Sequence, residues 1–205
     1  MTKRKNSKFS ICKKILLNYK DIWNSKKKNV RAVKVISRKV KRISMYNRLI
    51  KLKQCLKNFY TNMQEQKFKN DFKHSISSFA KTLDKFVSSS ESRIDVILYR
   101  VGFVSSLHQA RQFINHGHVL ANDTKVYLPS TKISRNSLIE FSKSSIFLKK
   151  MIFFNISNRL CHLSTVSHLE VNYKILNIIF LWDPDLKTTF FPINTKYNLI
   201  SRFYK

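Results

Sequence analysis

The chain has 205 residues with 40 Lys+Arg against 11 Asp+Glu, so at a formal +29 it repels itself unless an anion neutralises it. Its 43% hydrophobic content excludes a wholly disordered tail and is enough for one large domain or two modest ones. No apolar run reaches the ~20 residues of a membrane span. Three scattered cysteines, Cys12, Cys55 and Cys161, with no C-x-x-C pair, argue against a disulfide framework or a structural zinc. The partner that this charge calls for is nucleic acid, ahead of an anionic membrane surface.

The charge is unevenly placed. Residues 1–90 hold 25 Lys+Arg and 4 Asp+Glu, residues 91–142 hold 6 and 4, and residues 143–205 hold 9 and 3. The division predicts a basic helical arm over 1–90, a nearly neutral module over 91–142 and a mixed strand and helix segment over 143–205. The fold class expected is α+β. Only two glycines occur, while Lys, Asn, Ile, Phe and Ser abound, a codon bias of the kind an A/T-rich organellar genome leaves.

The first 25 residues are basic and nearly free of acids, a composition similar to a mitochondrial targeting peptide. Lysine dominates over arginine, however, and the whole N-terminal half shares this composition, which favours a basic RNA-binding arm. From Val33 to Tyr60 the pattern is helical, as one helix or as two broken near Ser44 to Asn47. Ile36, Val40 and Ile43, then Leu49, Leu52, Leu56 and Phe59, recur at three- and four-residue spacings. Lys34, Arg38, Lys41, Arg42, Arg48, Lys51 and Lys53 take the remaining surface and are candidate phosphate contacts. A second helix is predicted over Ser75 to Val87, with Ser88-Ser89-Ser90 as a linker.

The informative segment follows. Ser92 with Asp95 three positions on forms a capping-box pattern. Ile94, Ile97, Leu98 and Val101 then line one helix face, and Gly102 provides the left-handed cap. Ser106 with Gln109 repeats the capping pattern for a second helix, which buries Leu107, Ala110 and Ile114 with Phe113 beside them and stops at Gly117. His108, Arg111, Gln112 and Asn115 recur at i, i+3, i+4, i+7 on the opposite face, a row of hydrogen-bonding groups with one fixed charge and no carboxylate. Strands are predicted for Val119 to Asn122 and Lys125 to Leu128 around a turn at Asn122-Asp123-Thr124, with further strand material at Ile133 and Leu138 to Phe141.

The letters of this segment resemble the RNA-binding domain of the small-subunit ribosomal protein four family, the S-four domain. The residues that carry the likeness are Arg93-Ile94-Asp95, Tyr99-Arg100-Val101-Gly102-Phe103, Ala110-Arg111-Gln112, His116-Gly117-His118 and Pro129-Ser130, in order and correctly spaced. The resemblance implies that Arg93, Arg100, Arg111, Gln112, His116, His118 and Lys125 face RNA. Two positions depart from the family pattern. Leu107 stands where an arginine is common, which removes a phosphate contact or moves it to His108. Asn122-Asp123 stands where Asn-Gly is usual, which accepts a left-handed turn less readily.

Beyond the module, Val171 to Trp182 reads as strand material, Asp183-Pro184-Asp185 as a turn, and the stretch from Pro192 as a closing helix and strand. His168-Leu169-Glu170-Val171 resembles the family's W-L-E-V strand, in a form closer to mitochondrial than to plastid members. Pseudouridine synthases and bacterial-type tyrosyl-tRNA synthetases carry the S-four domain on a catalytic domain. Here no glycine-rich phosphate loop occurs, and Asp183 and Asp185 read as turn formers rather than catalytic acids. His116 and His118 with Cys161-His162 make a poor metal site, because residues two apart on a strand point to opposite sides. No catalytic residue, metal or cofactor is therefore expected.

The function implied is that of a non-enzymatic constituent of the small ribosomal subunit that helps to organise its assembly. Small-subunit rRNA, neighbouring small-subunit ribosomal proteins and mRNA at the channel through which it enters are the expected partners. The location implied is the mitochondrion, with the plastid as alternative. A free-standing RNA chaperone or an RNA-modifying enzyme with the same domain is the competing reading.

Overall fold

The computed structural model describes residues 44–60, 63–77, 82–142, 146–159 and 166–189. The chain divides into two units, Met1–Phe68 with Phe191–Lys205, and Lys69–Phe190. Six helices and a five-stranded antiparallel sheet lie among the described residues, so the class is α+β as expected. Lys34, Arg38, Lys41 and Arg42, the Cys161-His162 pair and the expected closing segment after Pro192 lie outside the described residues.

In the first unit, helix α1 (Met45–Phe59) begins where the sequence pattern weakens. The Ser44 hydroxyl caps it, accepting the Asn47 N–H at 3.4 Å. Leu56 and Phe59 are buried, with Leu49 and Leu52 half-buried on the same stripe. Phe59 meets Tyr60 edge-on at 5.0 Å. Lys53 and Lys57, one turn apart, both donate to Glu65, at 2.8 and 3.2 Å.

Helix α2 (Glu65–Ser77) and helix α3 (Thr82–Glu91) cover the two ends of the stretch expected to be helical from Ser75 to Val87. The expected linker at Ser88–Ser90 is instead the last turn of α3. Phe86, Val87 and Ser90 are buried, and the Ser92 N–H donates to the Ser88 carbonyl at 2.9 Å. Packing of that turn overrides the weak helix preference of serine. In the second unit Phe72 lies 4.6 Å from Phe86, joining α2 to α3.

Helix α4 (Ile94–Val101) is buried almost all round, because Val96 and Tyr99 are covered as well as the four residues of the expected stripe. Each fully buried Val, Leu or Ile contributes about 1.5–3 kcal/mol. Gly102 closes α4 at φ +87. Ser92 is not the N-cap; Arg93 is, with no side-chain cap, and the Ser92 hydroxyl donates back to the Ser89 carbonyl of α3 at 3.4 Å. The short connection leaves Ser92 belonging to the helix before it.

The sheet runs β2-β1-β3-β5-β4, with β1 (Val119–Ala121), β2 (Thr124–Lys125), β3 (Ser137–Phe141), β4 (Leu169–Asn172) and β5 (Asn177–Phe180). The stretch Val171 to Trp182, expected as strand material, holds the end of β4, a turn and β5. The Asn172 Oδ1 accepts the N–H groups of Lys174 and Ile175 at 3.1 and 3.3 Å, and Leu176 takes φ +67, which together reverse the chain. Pairing of β3 with β5, Ser137 opposite Phe180 and Ile139 opposite Ile178, makes one sheet from segments on either side of residue 142. Val119, Ala121, Ile139, Leu169, Ile178 and Phe180 form its buried face.

Helix α6 (Ile146–Arg159) takes up the apolar IFLKKMIFF run. It buries Ile152 and Ile156, and the Asn155 amide donates to the Phe103 carbonyl at 3.1 Å. Among the described residues no helix is long and apolar enough to cross a membrane.

Candidate nucleic-acid interface

Helix α5 (Leu107–Asn115) has the strongest two-sidedness the sequence promised. Leu107, Ala110, Phe113 and Ile114 are buried, while His108, Gln112 and Asn115 are exposed and Arg111 is half-exposed. Leu107, standing where an arginine is common, is thus a core residue, and His108 beside it reaches the surface. Ser106 caps the helix as expected, its hydroxyl accepting the Gln109 N–H at 3.3 Å. The return half of the capping box is shifted by one residue, because the Gln109 Oε1 accepts the N–H and hydroxyl of Ser105, at 2.7 and 2.8 Å.

The C-terminal end of α5 is a Schellman closure. The His118 N–H donates to the Phe113 carbonyl at 3.1 Å and the Gly117 N–H to Ile114 at 2.9 Å, with Gly117 at φ +70. That reversal corrects the expectation for the two histidines. They lie in a loop rather than on a strand, and their rings stack at 5.9 Å with 17° between planes. Phe113 supports His118 edge-on at 6.4 Å. His116 and His118 therefore continue the polar row of α5 around its end.

Lys125 is exposed on edge strand β2. The turn that leads to it holds Asn122 and Asp123 at φ +47 and +65, the pair of positive angles of a type I′ hairpin. Asn and Asp tolerate this region better than other non-glycine residues, and the Asn122 Oδ1 accepts the Leu138 N–H of β3 at 2.9 Å. The turn forms without the usual glycine because its first residue is anchored to the neighbouring strand.

Two of the expected RNA-facing arginines have a different environment. Arg93 is buried, its Nε and Nη2 donating to Asp95 at 3.1 and 2.7 Å. Arg100 donates through Nε and Nη2 to Glu91 at 2.8 and 2.7 Å, with Glu91 fully buried. The Arg100–Glu91 pair ties α4 to the end of α3, and the Arg93–Asp95 pair closes on itself at the start of α4. Removal of one partner from such a pair leaves an uncompensated buried charge. Arg111 stands between the two situations. Its Nε donates to Asp95 at 3.0 Å, while its side chain stays 29% exposed. In the first unit Arg48 is exposed, Lys51 half-buried and Lys53 tied to Glu65.

Asp95 and Glu91 were not singled out in the sequence as organising residues. The spacing of sixteen between Asp95 and Arg111 has no local signature, since only the antiparallel return of α5 onto α4 brings them together. Tyr127, exposed beside Gly117, was also passed over, although an aromatic in a polar turn region is a readable signal. His168 is fully buried at the head of β4, with no hydrogen-bond partner for either ring nitrogen among the described residues. It lies edge-on to Phe180 at 5.9 Å, and burial lowers its pKa. Its ring occupies the position of the tryptophan in the W-L-E-V pattern.

Comparison with known proteins bears on this surface. Residues 92–139 match the family model described as the S4 domain. The chain is 32% identical over 162 residues to small ribosomal subunit protein uS4m of Reclinomonas americana, a match that covers 78% of this chain and 65% of that relative. It is 28% identical over 209 residues to small ribosomal subunit protein uS4 of Caulobacter vibrioides, covering 100% of this chain and 99% of the relative. The uS4 of Rhodopseudomonas palustris is 29% identical with the same coverage.

Proposed function

We infer that the chain is a member of the small-subunit ribosomal protein S4 family and a structural constituent of the small ribosomal subunit that binds its ribosomal RNA, a reading supported by the S4 domain match and by the similarity to uS4m and uS4 proteins. The observation that carries this reading is the outer surface of α5 and its closing loop, where His108, Arg111, Gln112, Asn115, His116 and His118 lie in sequence order without a carboxylate among them. The donors and the fixed charge of such a row suit phosphate and 2′-hydroxyl contacts along an RNA backbone. Lys125 adds a second positive point on β2. Arg93 and Arg100 act from beneath, through Asp95 and Glu91, by holding α4 and thereby the base of this surface. Arg48 and Lys51 of α1, with the more N-terminal Lys34, Arg38, Lys41 and Arg42, supply salt-dependent affinity from the basic arm.

On this reading the protein's task is architectural rather than catalytic: it holds rRNA segments in a fixed relation during subunit assembly. Its neighbours are other small-subunit proteins, with mRNA close by in the assembled particle. The mitochondrion is the favoured location, supported by the 32% identity to the Reclinomonas protein and by the codon bias of the chain. The test is crosslinking of the tagged protein in isolated organelles, followed by sequencing of the bound RNA. Crosslinks gathered at one site of small-subunit rRNA are expected. Crosslinks spread over tRNA or many transcripts would defeat the ribosomal reading and favour a modifying enzyme or a chaperone.

A further inference from the structure

Tyr127 is 57% exposed, yet its ring is not loose. A Cβ placed on Gly117 would meet the Tyr127 Cε1 at 2.8 Å, its Cζ at 3.4 Å and its hydroxyl at 3.5 Å, so the ring rests on the glycine backbone. Gly117 is the residue between His116 and His118, whose rings stack on each other. The Tyr127 ring therefore lies against the residue that joins the two stacked histidines where α5 ends, and Tyr127 follows the exposed Lys125 by two residues. The neighbouring Leu128 is also exposed, at 69%. The one acid of the β1–β2 ribbon, Asp123, sits at its far tip, in the turn.

We propose that Tyr127, seated on Gly117 beside the His116–His118 stack, is a stacking platform for an unpaired nucleobase of the bound RNA. The proposal rests on the RNA-binding reading above and adds to it a base contact that the polar row of α5 does not provide. A fixed aromatic ring with an open side is matched in shape and chemistry by a base, and every base has such a face. Paired A-form RNA hides its bases in a deep, narrow groove, so a ring at this position requires a bulged, looped or junction nucleotide. The histidines and Lys125 beside it supply donors to the flanking phosphates. A purely apolar protein contact would have no use for them.

The experiment uses the full chain and a small-subunit rRNA junction fragment, with 2-aminopurine placed in turn at each unpaired position. Tyr127→Phe keeps the ring, and Tyr127→Leu keeps apolar bulk without a π-face. The leucine variant is expected to bind about 5- to 150-fold more weakly, the range of one base–aromatic stack. It should also lose the fluorescence quench at a single position, whereas the phenylalanine variant keeps both. Leucine binding and quenching like the wild type would overturn the platform while leaving the RNA-binding reading intact. A crosslink from Tyr127 to a ribosomal protein in whole subunits, with RNA affinity unaffected by the leucine, would overturn it in favour of a protein contact. Failure of the wild-type chain to prefer the junction over tRNA would remove the underlying reading and the platform together.

Discussion

The Nε of Arg111 donates to the Oδ2 of Asp95 at 3.0 Å, and that same oxygen accepts the Nη2 of Arg93 at 2.7 Å. One buried carboxylate thus organises two arginines of different kinds. Arg93 is enclosed and structural, whereas Arg111 reaches the surface that the proposed RNA contact requires. Asp95 sets both the base of α4 and the direction of the fixed charge on α5.

Asp95→Asn is therefore expected to cost stability and affinity together. It removes the anion that compensates the buried Arg93, a loss of about 3–5 kcal/mol. The half-exposed Arg111 adds little to that sum because water screens it. Urea unfolding of the full chain measures the first effect, and a filter-binding titration against the rRNA fragment measures the second. Unchanged stability would show that the pair is not the support described here.

Arg111→Gln should weaken RNA binding evenly across sequences, since a phosphate contact carries no base information. Loss of one such contact lowers the slope of log affinity against log salt by about 0.9. A titration series at several salt concentrations reads it directly. Arg111→Glu should weaken binding further, by inverting the charge, and a thermal melt guards against a folding defect from its closeness to Asp95. An unaltered slope in the glutamine variant would move the contact surface away from α5.

Gly117→Ala strains the chain in two ways. The residue sits at φ +70, and the new Cβ would meet the ring of Tyr127 at 2.8 Å. The expected destabilisation is ~1–3 kcal/mol. In the double variant Gly117→Ala with Tyr127→Ala the collision is gone and only the backbone cost remains, roughly 1 kcal/mol. Thermal melts of the three variants form a double-mutant cycle, and strict additivity would mean that the ring does not rest on the glycine.

His168 gives the protein a pH dependence of defined sign. Burial lowers its pKa from the usual 6.5, helped by nearby Arg100 and opposed by Glu91. The unfolded chain then takes up a proton below about pH 6.5 that the folded chain refuses, so stability falls on acidification and is flat above that value. The slope from this one group is at most about 1.4 kcal/mol per pH unit. Urea midpoints at pH 7.5 and 5.5 should differ more for the wild type than for His168→Phe, because the phenylalanine has nothing to protonate. Equal differences would remove His168 as the source.

Much of this protein was legible in its sequence, and the parts that were share one property. The stripe of α4, the two faces of α5, Gly102 and Gly117 as left-handed closures, and Ser106 as a cap are all decided within a few residues of chain. The local physics of periodicity and φ angles is written in adjacent letters. The ordered match around Arg93-Ile94-Asp95 and His116-Gly117-His118 added a resemblance to a family, which no periodicity supplies.

What escaped was decided by packing between distant segments. Ser88–Ser90 looked like a linker and is helical because Phe86, Val87 and Ser90 are covered. Val171 to Trp182 reads as strand material, and only the fold shows that it turns back on itself, its second strand pairing with β3. Charge shows the same division. Composition alone established a polycation, and hence the class of partner, because Coulomb repulsion depends only on the number of charges and on the length of chain that holds them. Which arginines pair with buried carboxylates and which stay exposed was decided by the tertiary structure. The buried carboxylates of Glu91 and Asp95 require cations within hydrogen-bonding reach, and only the folded arrangement determines that Arg93 and Arg100 fill that need while Arg111 still reaches the surface.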